Sequence, residues 1–198
     1  MDFLTAQDLR QIQQDVKDLT QDTTYASDIL YRRIVSSEFN PSTGQNTIVY
    51  EDFFFKSCGS DHTLSDIARS GGVLKIGDRV YTFPRDEVPG GLSLKDLFYV
   101  KLSYTGVVSI MAGTKDLEGL DTRFISDGIS VGNLVRVNGS YGVIASIQTE
   151  ENAQLLDNWG GDNLVEYEYE VYRQYNMLNI HIDLLGVSGR VSVRRSGQ

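Results

Sequence analysis

At 198 residues, with 40% hydrophobic and 23% charged side chains, the chain has the makeup of a globular protein that buries a core. No apolar run nears the roughly 20 residues that span a bilayer, Met1-Asp2-Phe3-Leu4 lacks the pattern of a signal peptide, and the single Cys58 excludes any chemistry that needs a cysteine pair. Eighteen basic against 27 acidic residues give a net charge of −9, which argues against broad affinity for nucleic acid or anionic membrane.

The lone cysteine also fits a reducing, cytosolic setting. The charge is uneven along the chain. Lys115 to Glu170 holds eleven acids and three bases, whereas Arg190 to Gln198 holds three arginines and no acid. Such polarity suits a complementary partner or a solvated face.

Leu9, Ile12, Val16 and Leu19 recur at helical spacing behind Thr5, a good N-cap with Asp8 three residues on. Five acids against two bases lie between Asp2 and Asp22. A helix of this length with so narrow a stripe is marginal alone and must dock, on its own sheet or on a neighbouring subunit. After Tyr25 the pattern turns to strands. Ser27 to Val35 and Asn46 to Ser57 flank the turn Asn40-Pro41-Ser42-Thr43-Gly44, which predicts a hairpin. Val73 to Phe83 and Leu97 to Met111 read as further strands, parted by Pro84, Pro89, Gly90 and Gly91.

Asn138-Gly139, between Leu134-Val137 and Ser140-Ile144, predicts a two-residue type I′ turn, in which both central residues need positive φ. Val165, Tyr167, Tyr169 and Val171 alternate with Glu166, Glu168 and Glu170, the period of a strand with one buried and one wet face. Leu178 to Leu185 and Arg190 to Arg195 close the series. One helix and about eight strands predict a mainly β fold, an antiparallel barrel or sandwich with an N-terminal α-helix.

Catalytic chemistry is scarce. The two histidines, His62 and His181, lie far apart in sequence, and His62 has only Asp61 and Asp66 as local partners. The chain has no phosphate loop with lysine, no zinc-ligand pair and no Gly-x-Ser-x-Gly, so no catalytic, cofactor or metal residues are assigned. Paired carboxylates serve glycosidases, but a wet strand face collects glutamates as well, and solvation is the simpler reading of Glu166, Glu168 and Glu170. Trp159-Gly160-Gly161-Asp162 reads as a mobile loop with an aromatic platform for a sugar, on the evidence of one tryptophan. The expectation is a non-enzyme.

The stretch Gly59-Ser60-Asp61-His62-Thr63-Leu64-Ser65-Asp66-Ile67-Ala68-Arg69-Ser70-Gly71-Gly72 joins two strands without strong periodicity and has glycines at both ends to act as hinges. Loops of this length in compact β proteins commonly carry function. Leu64, Ile67 and Ala68 suit a short helical turn formed against a partner.

In order, these parts resemble the head-closure proteins of tailed bacteriophages, also called stoppers or head–tail connectors. The resemblance rests on the acidic N-terminal helix, Ile29-Leu30-Tyr31-Arg32-Arg33, Pro41-Ser42-Thr43-Gly44, Tyr50-Glu51-Asp52, the long loop, Ile76-Gly77-Asp78-Arg79-Val80, Gly139-Ser140-Tyr141-Gly142-Val143 and Tyr167-Glu168-Tyr169-Glu170-Val171-Tyr172-Arg173. It covers about Thr5 to Arg173. Each motif is unspecific by itself, and the order carries the likeness.

The resemblance implies a virion protein of the phage neck, made in the host cytoplasm. It would form a ring, usually twelve-membered, under the portal and adaptor, closing the DNA-filled head and attaching the tail. Its partners would be its own copies, the portal or adaptor, and a tail terminator or tube protein, with double-stranded DNA passing through unbound. Gly59 to Gly72 would be the channel-gating loop, Glu166, Glu168 and Glu170 an acidic lumen or solvent face, and Arg190, Arg194 and Arg195 partner contacts. Members of that family are shorter, which makes 92–127 an insertion and 176–198 an extension of a barrel at 25–175, behind a helix at 1–24. A six-fold tail terminator, another oligomeric adaptor or a carbohydrate-binding β protein are the alternatives.

Overall fold

The computed structural model describes residues 5–22, 26–42, 44–182 and 188–196. The chain is mainly antiparallel β, of the barrel or sandwich type, with an N-terminal helix. Among the described residues no helix is long and apolar enough to cross a membrane. Helix α1 (Ala6–Gln21) starts at a capping box in which Thr5 and Asp8 satisfy each other's backbone. Strands β1 (Ala26–Asn40) and β2 (Gln45–Asp61) form the predicted hairpin, but both run well past the predicted ends. Then come α2 (Leu64–Arg69), β3 (Arg79–Pro84), β4 (Leu97–Lys101), β5 (Val107–Ile110) and β6 (Asp116–Leu120). The last six strands are β7 (Leu134–Val137), β8 (Ser140–Ile147), β9 (Asn152–Leu155), β10 (Leu164–Tyr167), β11 (Tyr169–Ile182) and β12 (Ser188–Arg195).

The chain divides into two compact units, one of residues 1–99 and 175–198, the other of residues 100–174. The boundary at 174/175 lies one residue from the predicted one at 175, but none falls at 24, and the predicted insertion at 92–127 is divided at 99/100. The C-terminal segment is no appendage, because β12 pairs with β3 from Ser188↔Pro84 to Val193↔Arg79 and is an interior strand.

In the first unit the strand order is β11, β12, β3, β2, β1, β4. The core face is aromatic. Phe55 and Phe83 have ring centroids 5.0 Å apart, Tyr81 and Phe98 5.4 Å, and all four are buried with Ile29, Tyr31, Val191 and Val193. Burial pushes the Tyr81 phenol up to about 12. Helix α1 packs on β2 and β3, so it docks on its own sheet. Leu9, Ile12 and Val16 of the predicted stripe are partly buried, and only its last position differs. Leu19 is 70% exposed, while Thr20 is buried and returns its hydroxyl to the Val16 carbonyl.

In the second unit the order is β10, β5, β6, β9, β8, β7, β11. Its core gathers Val108, Ile110, Leu117, Phe124, Val135 and Trp159, among others. The β7–β8 turn is as predicted, with Asn138 at φ 46° and Gly139 at φ 80°. The predicted strand Leu97 to Met111 is two strands, β4 and β5, with Gly106 between them at φ 75°. A Cβ there would lie 2.4 Å from the Leu120 carbonyl. The predicted strand from Val73 begins only at Arg79, and the final residues of the one predicted to Leu185 lie outside the described residues.

Candidate functional site

The long connection between β2 and β3 follows sequence chemistry closely. Thr63 and Asp66 form a second capping box, with the Asp66 carboxylate accepting from the Thr63 N–H at 3.2 Å and its hydroxyl at 2.7 Å. These bonds hold the Asp66 carboxyl below the usual range. Helix α2 follows and buries no residue. Ser70 caps its end, and Gly71 (φ 63°) and Gly72 (φ 92°) turn the chain in a left-handed conformation that favours glycine. Leu64, Val73 and Ile76 are 75%, 55% and 84% exposed, an apolar surface with little covering it.

Two features of the predicted loop differ. Gly59, Ser60 and Asp61 are strand, paired with Tyr81, Val80 and Arg79. Gly59 is therefore no hinge. It is glycine because a Cβ would come within 2.6 Å of the Tyr81 ring. The excursion proper is 62–78.

Its far end is tied down by Arg194. The guanidinium meets the Asp78 carboxylate through two bonds of 2.8 Å and also reaches the Val73 carbonyl at 3.0 Å. Asp78 has a side chain only 3% exposed, and the Arg194 bonds, with the Lys75 N–H, hold its carboxyl below the usual range. Arg194 is thus an internal anchor, not the free partner contact expected. Arg190 is exposed on the outer face of β12, and Arg195 pairs with Tyr175 in the β11–β12 ladder.

The glutamate row is broken. Glu166 has φ 50° at a register shift between β10 and β5, so the period of two lapses there. Val165 and Tyr167 are consequently exposed, while Tyr169 and Val171 are buried as the alternation predicts. Glu166 and Glu168 face solvent. Glu170 does not. Lys101 and Arg136 each bond it at 2.7 Å, and the Tyr172 hydroxyl donates to it at 3.0 Å. Burial pushes the Glu170 carboxyl up, but these three donors outweigh it and hold it below the ordinary value.

Trp159 is 2% exposed, with its indole N–H on the Asp162 carbonyl at 3.0 Å. It is core, held also by backbone bonds to Gly113 and Thr114, and offers no ring face to a sugar. Among the described residues no group of three or more His, Cys, Asp or Glu is placed to hold a metal ion.

Sequence reasoning missed an exposed apolar arm. The β1–β2 hairpin continues as a two-stranded ribbon from Ser36↔Val49 to Asn40↔Gln45, beyond a register shift at Val35. Val35, Phe39, Ile48 and Val49 on this ribbon are 60%, 64%, 39% and 50% exposed. The signal was present as apolar residues on both sides of the turn, but strand patterns do not tell an arm from a core strand. The chain matches no protein-family model and no curated protein.

Proposed function

We propose that this chain is a non-catalytic structural subunit that works by docking on other protein subunits, as the head-closure proteins of tailed phages do. The observation that carries this reading is the β1–β2 arm. A two-stranded ribbon is marginally stable in water, yet this one holds its register to the tip while exposing four large apolar side chains. Exposed apolar surface of that kind marks a protein contact. A ring of copies under a portal or adaptor would cover such arms between neighbours.

The 62–78 excursion supports the gating half of the reading. It has a helix with no buried residue, apolar side chains in solvent, and a base fixed by Arg194. A segment so built can change its contacts without disturbing a core. Exposed Glu166 and Glu168 and the net charge of −9 suit a surface along which DNA slides unbound, since carboxylates repel phosphate within about 8–10 Å.

The test is to raise antibody to the purified chain, label intact phage particles and image them. Mass spectrometry of the particles and negative-stain class averages of the recombinant chain mixed with its particle's portal complete it. Signal at the head–tail junction and twelve-fold rings on the portal are expected. Six-fold rings capping tails would assign a tail terminator. Absence from particles together with a monomer in every mixture would overturn the reading.

A further inference from the structure

The outer face of the first unit's sheet carries a cluster to which the β1–β2 arm contributes nothing. His181 on β11 stands directly opposite Arg190 on β12, and Arg190 opposite Thr82 on β3. One row along, Asn179 stands opposite Ser192. Directly opposed Cβ atoms lie about 5 Å apart on one face of a sheet, so His181 and Arg190 occupy a single spot. The excursion lies over these rows, and His62, Arg69 and Ser70 line the same open groove as His181, Arg190 and Ser192. The only two histidines of the chain, far apart in sequence, thus line one groove.

The electrostatics are unusual for an acidic chain. Arginine opposite histidine places two N–H-bearing side chains together with no acid directly opposite either. Neither Arg69 nor Arg190 makes an ion pair with the described residues. His62 Nε2 is buried without a hydrogen-bond partner among them, the kind of atom that native structures seldom leave unsatisfied. The acids nearby are committed. Asp66 lines the groove itself but its carboxylate caps α2, Asp61 pairs with Arg79 at 3.5 Å, and Asp78 is held by Arg194.

Two guanidinium groups, two imidazoles and the Ser192 hydroxyl therefore line one groove from the sheet below and the excursion above, the Ser70 hydroxyl being spent on the Ile67 carbonyl. That is more donor capacity than the two oxygens of a carboxylate need, and it suits a tetrahedral oxyanion, which arginine forks bind in two-pronged fashion. We propose that this groove binds a phosphate group, as the free ion or a small monoester, held by Arg69, Arg190, His62 and His181. The inference shares the 62–78 excursion with the gating half of the subunit reading but makes no use of the β1–β2 arm that carries that reading.

Because the chain has two histidines, an imidazole NMR spectrum reports on this groove alone. Inorganic phosphate is titrated at constant ionic strength held with sodium chloride, and phenyl phosphate is titrated in parallel. Both imidazoles should shift together and saturate below about 10 mM, the weak-affinity range of a small-ion site. Tighter binding of phenyl phosphate would identify an ester as the occupant, and equal or weaker binding the free ion. Arg190→Gln and Arg69→Gln should each weaken binding at least tenfold with unchanged far-UV circular dichroism, and Arg85→Gln, outside the groove, should leave it unaltered. Shifts that are absent, that never saturate, that involve one histidine only, or that survive both groove substitutions overturn the proposal.

Discussion

Arg194 grips Asp78 with two N–H donors, Nε on Oδ1 and Nη2 on Oδ2, both at 2.8 Å. The pair joins β12 to the residue just before β3, so the last strand of the chain fixes where the long excursion returns to the sheet. Because Asp78 is almost wholly buried, its charge has no water to fall back on.

Asp78→Asn should therefore lower the melting temperature at pH 7, by roughly 5 °C on the scale of a small cooperative unit. The sign of the pH dependence follows from the depressed carboxyl of Asp78. A carboxyl lowered in the folded state contributes stability above its unfolded value, and that contribution is lost as pH falls through the folded value. The gap between wild type and variant should narrow as pH falls below the ordinary Asp value of about 3.9. Calorimetric scans between pH 3 and 7 measure this. A gap that stays constant with pH would mean the pair carries no charge-linked stability.

The three glutamates of 166–170 should behave as two classes. Glu166→Gln and Glu168→Gln, both exposed, should change stability by no more than about 0.5 kcal/mol. Glu170→Gln removes the charge that Lys101 and Arg136 share, leaving two cations opposed. With a quarter of the Glu170 side chain exposed, solvent screens the loss, and a cost of about 1–2 kcal/mol is expected. Urea titrations of the three variants provide the comparison, and equal effects would mean the row is uniformly solvated after all.

Trp159→Ala should cost about 3–5 kcal/mol, the range for deleting a large buried aromatic. A sugar-stacking residue would show the reverse, lost ligand binding with stability intact. Chemical denaturation followed by circular dichroism separates the two, since the variant has no tryptophan left to report.

What the sequence discloses here is the local chemistry. Thr5-x-x-Asp8 and Thr63-x-x-Asp66 are capping boxes in sequence and in space, and Asn138-Gly139 makes the turn that its need for positive φ demands. Those signals span two to four residues and need no distant partner. Strands β6 and β9 pair with each other but are only five and four residues long, too short for their alternation to announce them. The roles of Glu170, Arg194 and Trp159 were misread for a common reason. Each is set by a residue more than 30 positions away, Arg136, Asp78 and Thr114 among them, and only strand register brings those together. The groove of His62 and His181 was hidden in the same way.

Replacing 63–72 with a short glycine-serine link should leave both units folded, because no residue of α2 is buried and Asp78 and Arg194 remain. Extending the deletion back to Gly59 should unfold the first unit. That cut removes the Gly59↔Tyr81, Ser60↔Val80 and Asp61↔Arg79 pairs that join β2 to β3. Thermal melts of the two deletions should differ by well over 5 °C, given that each kcal/mol shifts such a unit by about 4–8 °C. In a particle, the shorter deletion should still let DNA leak from filled heads. Retention of DNA would remove the gating role from this segment while leaving the docking role untouched.

The arm makes the sharpest separation between fold and function. Phe39 and Ile48 lie on a part of the hairpin where every described residue from Val35 to Val49 is exposed. Replacing both with serine deletes apolar area that contributes little to the folded monomer, so stability should change by less than about 0.5 kcal/mol. Interface anchors behave otherwise, since truncating a buried apolar contact commonly costs 1 kcal/mol or more. Repeated at every subunit of a closed ring, such a loss is multiplied by the number of contacts. The double variant should therefore remain a folded monomer by sedimentation and circular dichroism, yet fail to appear in particles or on the portal. Assembly at wild-type levels would show that the exposed ribbon is not the contact, and the subunit reading would lose the observation that carries it.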